Sequence, residues 1–226
     1  MDRLLGYGLI KTAIISMLLY LPVLYCVMAA LFYLTRDMAD RKLLSKEMLL
    51  AERFLKLSLD FMTPMHSEDT RAVLQTLIGC TLKERGLMQA AENEFRNGLL
   101  AVEATRKRAM QMLSKDPIML ESVQTQVDQK FSAPEAIASL ELAGILAQTG
   151  RIAEASSRLH TAIKSLQEYR AILVRKMTVE EVQSRKSDRQ YRWSSLLDLP
   201  ASEKLALIDR CLFEADGLRD SIEGDA

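Results

Sequence analysis

Aromatic residues make up only 6% of this chain, and runs of β-branched residues are missing. A β-sandwich or barrel draws heavily on both, so an all-β fold is excluded. There are three cysteines, Cys26, Cys80 and Cys211, far apart and without C-x-x-C spacing. That excludes a disulfide framework or zinc site and leaves three packed thiols as the expectation. Two histidines, His66 and His160, stand without a second ligand at metal spacing. No phosphate-cradling glycine loop, nucleophile elbow or H-E-x-x-H is present. An enzyme is therefore not expected, and neither is a cofactor or a metal. Charge bias is also missing: 30 basic residues balance 30 acidic ones, whereas a dedicated nucleic-acid binder shows a basic excess.

What the chain does have is helix formers. Ala, Leu, Glu, Lys, Arg, Gln and Met dominate. Residues 12–34 read TAIISMLLYLPVLYCVMAALFYL, an uncharged run of 23. As a helix it spans about 34 Å at ~1.5 Å per residue, enough for a hydrocarbon core of roughly 30 Å. A signal peptide has a shorter apolar region and a small-residue cleavage site, and Phe32-Tyr33-Leu34 does not supply one. Residues 1–36 thus read as a tail and a single membrane anchor, kinked at Pro22. Basic residues Arg36, Arg41, Lys42 and Lys46 follow the anchor, against Arg3 and Lys11 before it. This leans the large domain toward the cytoplasmic or matrix-like side.

From residue 37 to 222 the pattern is all-α. Leu43, Leu44, Met48, Ala51, Leu55 and Leu59 recur at helical spacing to about Met62, and nothing separates this stretch from the anchor. Ser67 caps a helix that ends before Gly86; a second runs from about Gln89 toward Leu113. A short helix is expected over 118–130. The capping box SAPE at 132–135 then starts another that Gly150 stops, and one more spans about 152–176. A second capping box, TVEE at 178–181, and Leu199-Pro200 punctuate the rest. Gly217 is expected to fray the end, and 223–226 to form a disordered tail.

Two stretches match at a constant offset of 64. Ile78, Gly79, Leu82, Gly86, Met88, Ala91, Phe95 and Gly98 pair with Leu142, Ala143, Leu146, Gly150, Ile152, Ala155, Leu159 and Ala162. Large and small residues alternate identically in both, which is the mark of a structural repeat. Over roughly 68–103 and 132–167 the chain resembles the tetratricopeptide repeat, a helix-turn-helix of 34 residues. Small residues let two antiparallel helices approach closely, and Gly86 and Gly150 supply the turns. Gln75 and Ser139 stand where that family favours tryptophan. Residues 101–131 read either as a degenerate middle repeat or as a lengthened helix with an insertion.

The resemblance implies a helical-hairpin solenoid that binds proteins in a groove lined by its first helices. Those faces should offer Thr76, Cys80 and Lys83, then Leu140, Gly144 and Gln148. The lysine and asparagine with which some members clamp chaperone tails are missing, so an apolar ligand is expected. A second contact surface is suggested by Arg185, Lys186, Arg189, Arg192 and Trp193, and the basic run 106–108 could meet an acidic partner or anionic lipid. The layout is similar to mitochondrial inner-membrane protease adaptors and assembly factors and to bacterial translocon-associated repeat proteins. It implies an adaptor or scaffold joining protein partners to a membrane-embedded complex, or else a permanent accessory subunit of one, possible in a respiratory complex. The mitochondrial inner membrane is favoured, with the ER or bacterial inner membrane as alternatives, and the bilayer itself is engaged through 12–34. The protease adaptors hold their repeats in the intermembrane space, against the charge bias noted above. Mass spectrometry of the mature protein should find 12–34 retained; an N-terminus near residue 35 would contradict the anchor.

Overall fold

The computed structural model describes residues 2–62, 68–113, 117–175, 177–183 and 191–224. It is all-helical, with no strand among the described residues. Helix α1 spans Asp2–Leu44, α2 Met48–Asp60, α3 Glu68–Glu84, α4 Met88–Leu113, α5 Pro117–Gln148, α6 Ile152–Arg175, α7 Val179–Gln183 and α8 Ala201–Gly224. A 3-10 turn at Arg192–Leu196 separates the last two.

Several apolar side chains in the middle of α1 are exposed. Tyr20–Leu44 is long and apolar enough to cross a membrane. Tyr20, Val23 and Leu24 are 73%, 60% and 57% exposed, unlike a core helix. Cys26 is exposed with them, so only Cys80 and Cys211 are packed thiols. Pro22 lies inside α1, which continues through it.

Residue 36 lies inside α1. The helix runs on to Leu44 and is packed from Phe32, through Thr35 and Ala39 to Leu43, all buried. It does not flow directly into the next amphipathic stretch. Lys46 adopts φ 62°, and α2 folds back antiparallel to α1. Buried Ser58 Oγ lies 2.8 Å from Thr35 Oγ1 across the pair. The missing glycine at this turn hid it from the sequence.

Consecutive helices then pack side by side: α2 on α3, α3 on α4, α4 on α5, α5 on α6, and α6 on α8; α3 also touches α5. Gly86 and Gly150 occupy the α3–α4 and α5–α6 turns at φ 77° and 74°. There a left-handed backbone closes the helix end by two hydrogen bonds. Gly86 N–H donates to the Lys83 carbonyl and Leu87 N–H to that of Leu82, both at 2.9 Å. Gly150 and Arg151 repeat this onto Ala147 and Leu146 at 3.0 and 2.9 Å.

The small residues have steric causes. A Cβ on Gly79 would sit 2.7 Å from the ring of Phe95, and one on Gly98 3.2 Å from Thr76 Oγ1. Ala91, Ala143, Ala155 and Ala162 are fully buried. Three expected boundaries are absent. α5 runs unbroken through Ser132 and Pro134. The missing proline donor is offset by burial on both sides, at Phe131, Ser132, Ala136 and Ile137. Residues 101–131 are therefore no middle repeat: α4 and α5 are each lengthened instead. α8 passes Gly217 and reaches Gly224, taking in the first residues of the expected tail, because Ala215 and Ile222 are buried either side. Ser67 and His66 lie outside the described residues.

Two glycines of the same type should behave oppositely. Gly79→Ala must displace Phe95 and should lower stability by roughly 1–3 kcal/mol, as should Ala91→Leu. Gly217 meets nothing within 4 Å, so Gly217→Ala should gain about 0.5–1 kcal/mol. Thermal melts of the three variants check this.

Candidate functional site

Four of the six groove positions expected from sequence come together. Lys83, Leu140, Gly144 and Gln148 line a hollow of about 380 Å³, bounded by Ala147 and Ile152. Its remaining wall is α8, through Glu214, Leu218, Ser221 and Ile222. The sequence held no sign of that wall: Leu218 and Ile222 four apart mark a packed helix face, but not its partner. A Cβ on Gly144 would meet nothing within 4 Å, so its lack of a side chain leaves open space.

Thr76 and Cys80 do not belong to this surface. Thr76 is fully buried and donates its hydroxyl to the Ala72 carbonyl at 2.8 Å. Cys80 is buried as well. The 3-10 turn Arg192–Leu196 lies against α3 and α5. Lys83 is not available to pair with a ligand either, because it is bonded to Glu141 of α5.

The second expected surface is divided. Trp193 is 3% exposed and stacks on Tyr191 with ring centroids 5.0 Å apart. Lys46 Nζ sits 5.7 Å from the Tyr191 ring centre, within reach of a cation–π contact. Trp193 is thus a core residue that joins this segment to the helices. Arg192 opens the 3-10 turn. Arg185, Lys186 and Arg189 lie outside the described residues.

Several charged residues tie the hairpins together. Glu52 of α2 pairs with Arg85 beside the α3–α4 turn. Glu92, buried near the start of α4, accepts two hydrogen bonds from Arg151 at 2.7 and 2.5 Å. Arg96 joins Glu92 to Glu154 at 3.0 and 2.7 Å. Hydrogen bonds from Arg151 hold the Glu92 carboxyl below its ordinary value against the opposing effect of burial, with Arg96 adding to the shift. A second hollow, of about 330 Å³, opens between α4, α5 and α6, lined by Leu99, Leu100, Arg106, Glu135 and Arg158 among others. His160 is exposed. Among the described residues no three His, Cys, Asp or Glu side chains group as metal ligands would.

The chain matches no known family model, no characterised protein and no solved structure.

A carboxylate with a lowered pKa stabilises the fold above its ordinary titration range and loses that contribution as pH falls through the lowered value. Glu92→Gln should therefore melt at lower temperature than the parent at neutral pH. The difference should shrink as the pH drops below the ordinary Glu value of 4.5. Melting curves of both proteins across pH check the sign.

Proposed function

We propose that the protein is a single-pass membrane protein whose tetratricopeptide-like domain binds a protein partner in the hollow between α3, α5 and α8, acting as an adaptor or scaffold at a membrane complex. The observation that carries this reading is the hollow itself. Four positions that the family resemblance assigns to the groove, on the first helices of two matching hairpins, line one concavity of mixed polar and apolar character. The repeat assignment is supported by the two matching turns and by Gly79 and Gly98 at the close approaches.

The chemistry of the lining sets the class of partner. Lys83, already paired with Glu141, and Glu214 are the charged residues of the wall. Leu140, Ala147, Ile152 and Leu218 suit aliphatic or aromatic side chains, and Gln148 and Ser221 suit the partner's backbone. Membrane anchoring raises the effective concentration of the site for other membrane-bound proteins, so modest intrinsic affinity suffices.

A second reading, a permanent accessory subunit, has one observation in its favour. Phe213 on α8 is 80% exposed and Leu100 on α4 60%, as residues of a lasting interface would be when seen alone.

Gly144→Glu places a charged side chain in open space, so it should abolish co-purification of the partner while leaving the melting temperature nearly unchanged. Phe213→Ser should have no effect on that partner. Loss of binding with Phe213→Ser and retention with Gly144→Glu would favour the accessory-subunit reading.

A further inference from the structure

The second hollow, between α4, α5 and α6, contains a cation that the fold leaves unpaired. Arg158 stands half-buried on α6 and lines that hollow. Its expected partner on the same helix is Glu154, four residues earlier. Arg96 takes Glu154 instead, at 2.7 Å. The carboxylate that α5 contributes to the hollow is Glu135. Arg106 holds it at 2.6 Å, and Ser165 Oγ donates to its other oxygen at 3.0 Å. Both carboxylates are engaged, and Arg158 forms no ion pair among the described residues.

Packing does not require this arrangement. At the offset of 64, Arg158 corresponds to Glu94 and Leu100 to Lys164. The buried positions beside them keep their character, Phe95 with Leu159 and Gly98 with Ala162. Lys164 is exposed, as a solvated position should be, and Leu100 is 60% exposed at the equivalent place. A guanidinium and a leucine thus stand at non-core positions of the hairpins, on the two walls of one concavity of about 330 Å³.

A third group completes the pattern. Glu103 lies on α4 three residues beyond Leu100 and lines the same hollow. It is exposed and forms no ion pair among the described residues. The register also gives the order of the three along the groove. Arg158 is level with Glu94, six residues nearer the turn than Leu100, or about 9 Å at ~1.5 Å per residue. Glu103 lies about 4.5 Å beyond Leu100 on the other side. The other charges of the lining, Arg96, Arg106 and Glu135, are paired. The groove therefore presents an unpaired positive charge, an apolar step and an unpaired negative charge in sequence.

We propose that this hollow is a second protein-docking surface. Its occupant is an amphipathic helix of a partner, with an acidic residue at Arg158, an aliphatic one on Leu99 and Leu100, and a basic one at Glu103. A helix returns to the same face after seven residues and again after four more, about 10.5 and 6 Å along its axis. Those steps match the spacing of the three groups within the reach of the Arg158 and Glu103 side chains. The helix dipole favours the same order, with the acid toward the N-terminal end and the base toward the C-terminal end. The proposal goes beyond the function proposed above and depends neither on the hollow bounded by α8 nor on the membrane anchor.

The probe is a synthetic helical peptide of alanine and glutamine, with glutamate, leucine and lysine at its third, tenth and fourteenth positions. A second peptide exchanges the glutamate and the lysine, so both have the same net charge. Each carries a fluorophore and is titrated, with anisotropy as the readout, into the full chain in phosphatidylcholine nanodiscs at low salt. The first peptide should bind about tenfold more tightly, since two attractive exposed pairs replace two repulsive ones. R158E/E103K should reverse the preference. Arg158→Gln breaks no ion pair, so it should melt as the parent does and still lose most of the preference. Gly144→Glu should leave the preference intact, which separates this surface from the hollow bounded by α8. Equal binding of the two peptides, binding of neither, a preference that survives Arg158→Gln and R158E/E103K, or one abolished by Gly144→Glu would overturn the proposal.

Discussion

The structure depends on how closely antiparallel helices can approach next to a tight turn. Each of three hairpins is closed by a residue in the left-handed region, followed five positions later by a fully buried alanine, Ala51, Ala91 or Ala155. The alanine lets the second helix settle onto the first, and a large residue four positions on, Leu55, Phe95 or Leu159, fills the space beyond. A larger side chain at the alanine separates the pair and removes the contacts of both. This constraint explains why glycine persists within helices at Gly79 and Gly98 despite its cost of about 1 kcal/mol relative to alanine.

Once the hairpins form, ion pairs set their order. Glu52 with Arg85 and Glu92 with Arg151 bring neighbouring turns together on one edge, while Arg106, Glu135 and Ser165 brace the other. Such pairs are modest in energy when part-exposed, but they orient the stack. Because its first hairpin includes the end of α1, the stack is fixed in direction relative to the long apolar helix. A flexible linker would leave the domain free to tumble relative to α1; the packing of Phe32, Thr35, Ala39 and Leu43 removes that freedom.

Much of this was legible in the sequence, wherever a residue type has a single conformational use. Glycine at a helix end predicted both turns, and the offset of 64 placed two hairpins in register. The third hairpin stayed hidden because lysine occupies its left-handed position, at φ 62°, and because its first helix is written in the same apolar letters as the long uncharged run before it. The capping box at Ser132 misled for a different reason. Capping residues report what a helix start could be, while burial of Phe131, Ala136 and Ile137 decides that α5 continues. Of the groove, the residues on α5 and Lys83 were placed by spacing alone. Thr76 faces Gly98 of α4 instead of the hollow, and Cys80 is buried, which spacing along α3 alone did not reveal.

The central claim is that the last three turns of α1 are part of the packed helical core and not a linker. Hydrogen exchange of the full chain in bilayers tests it most directly, because residues 35–44 emerge past the apolar run while remaining in the stack. Amides of one cooperative unit open with a shared free energy. The account predicts that residues 35–44 exchange as slowly as residues 72–84 of α3 and speed up together with them under mild denaturant. Exchange at 35–44 as fast as in an exposed helix, with α3 still protected, would contradict it.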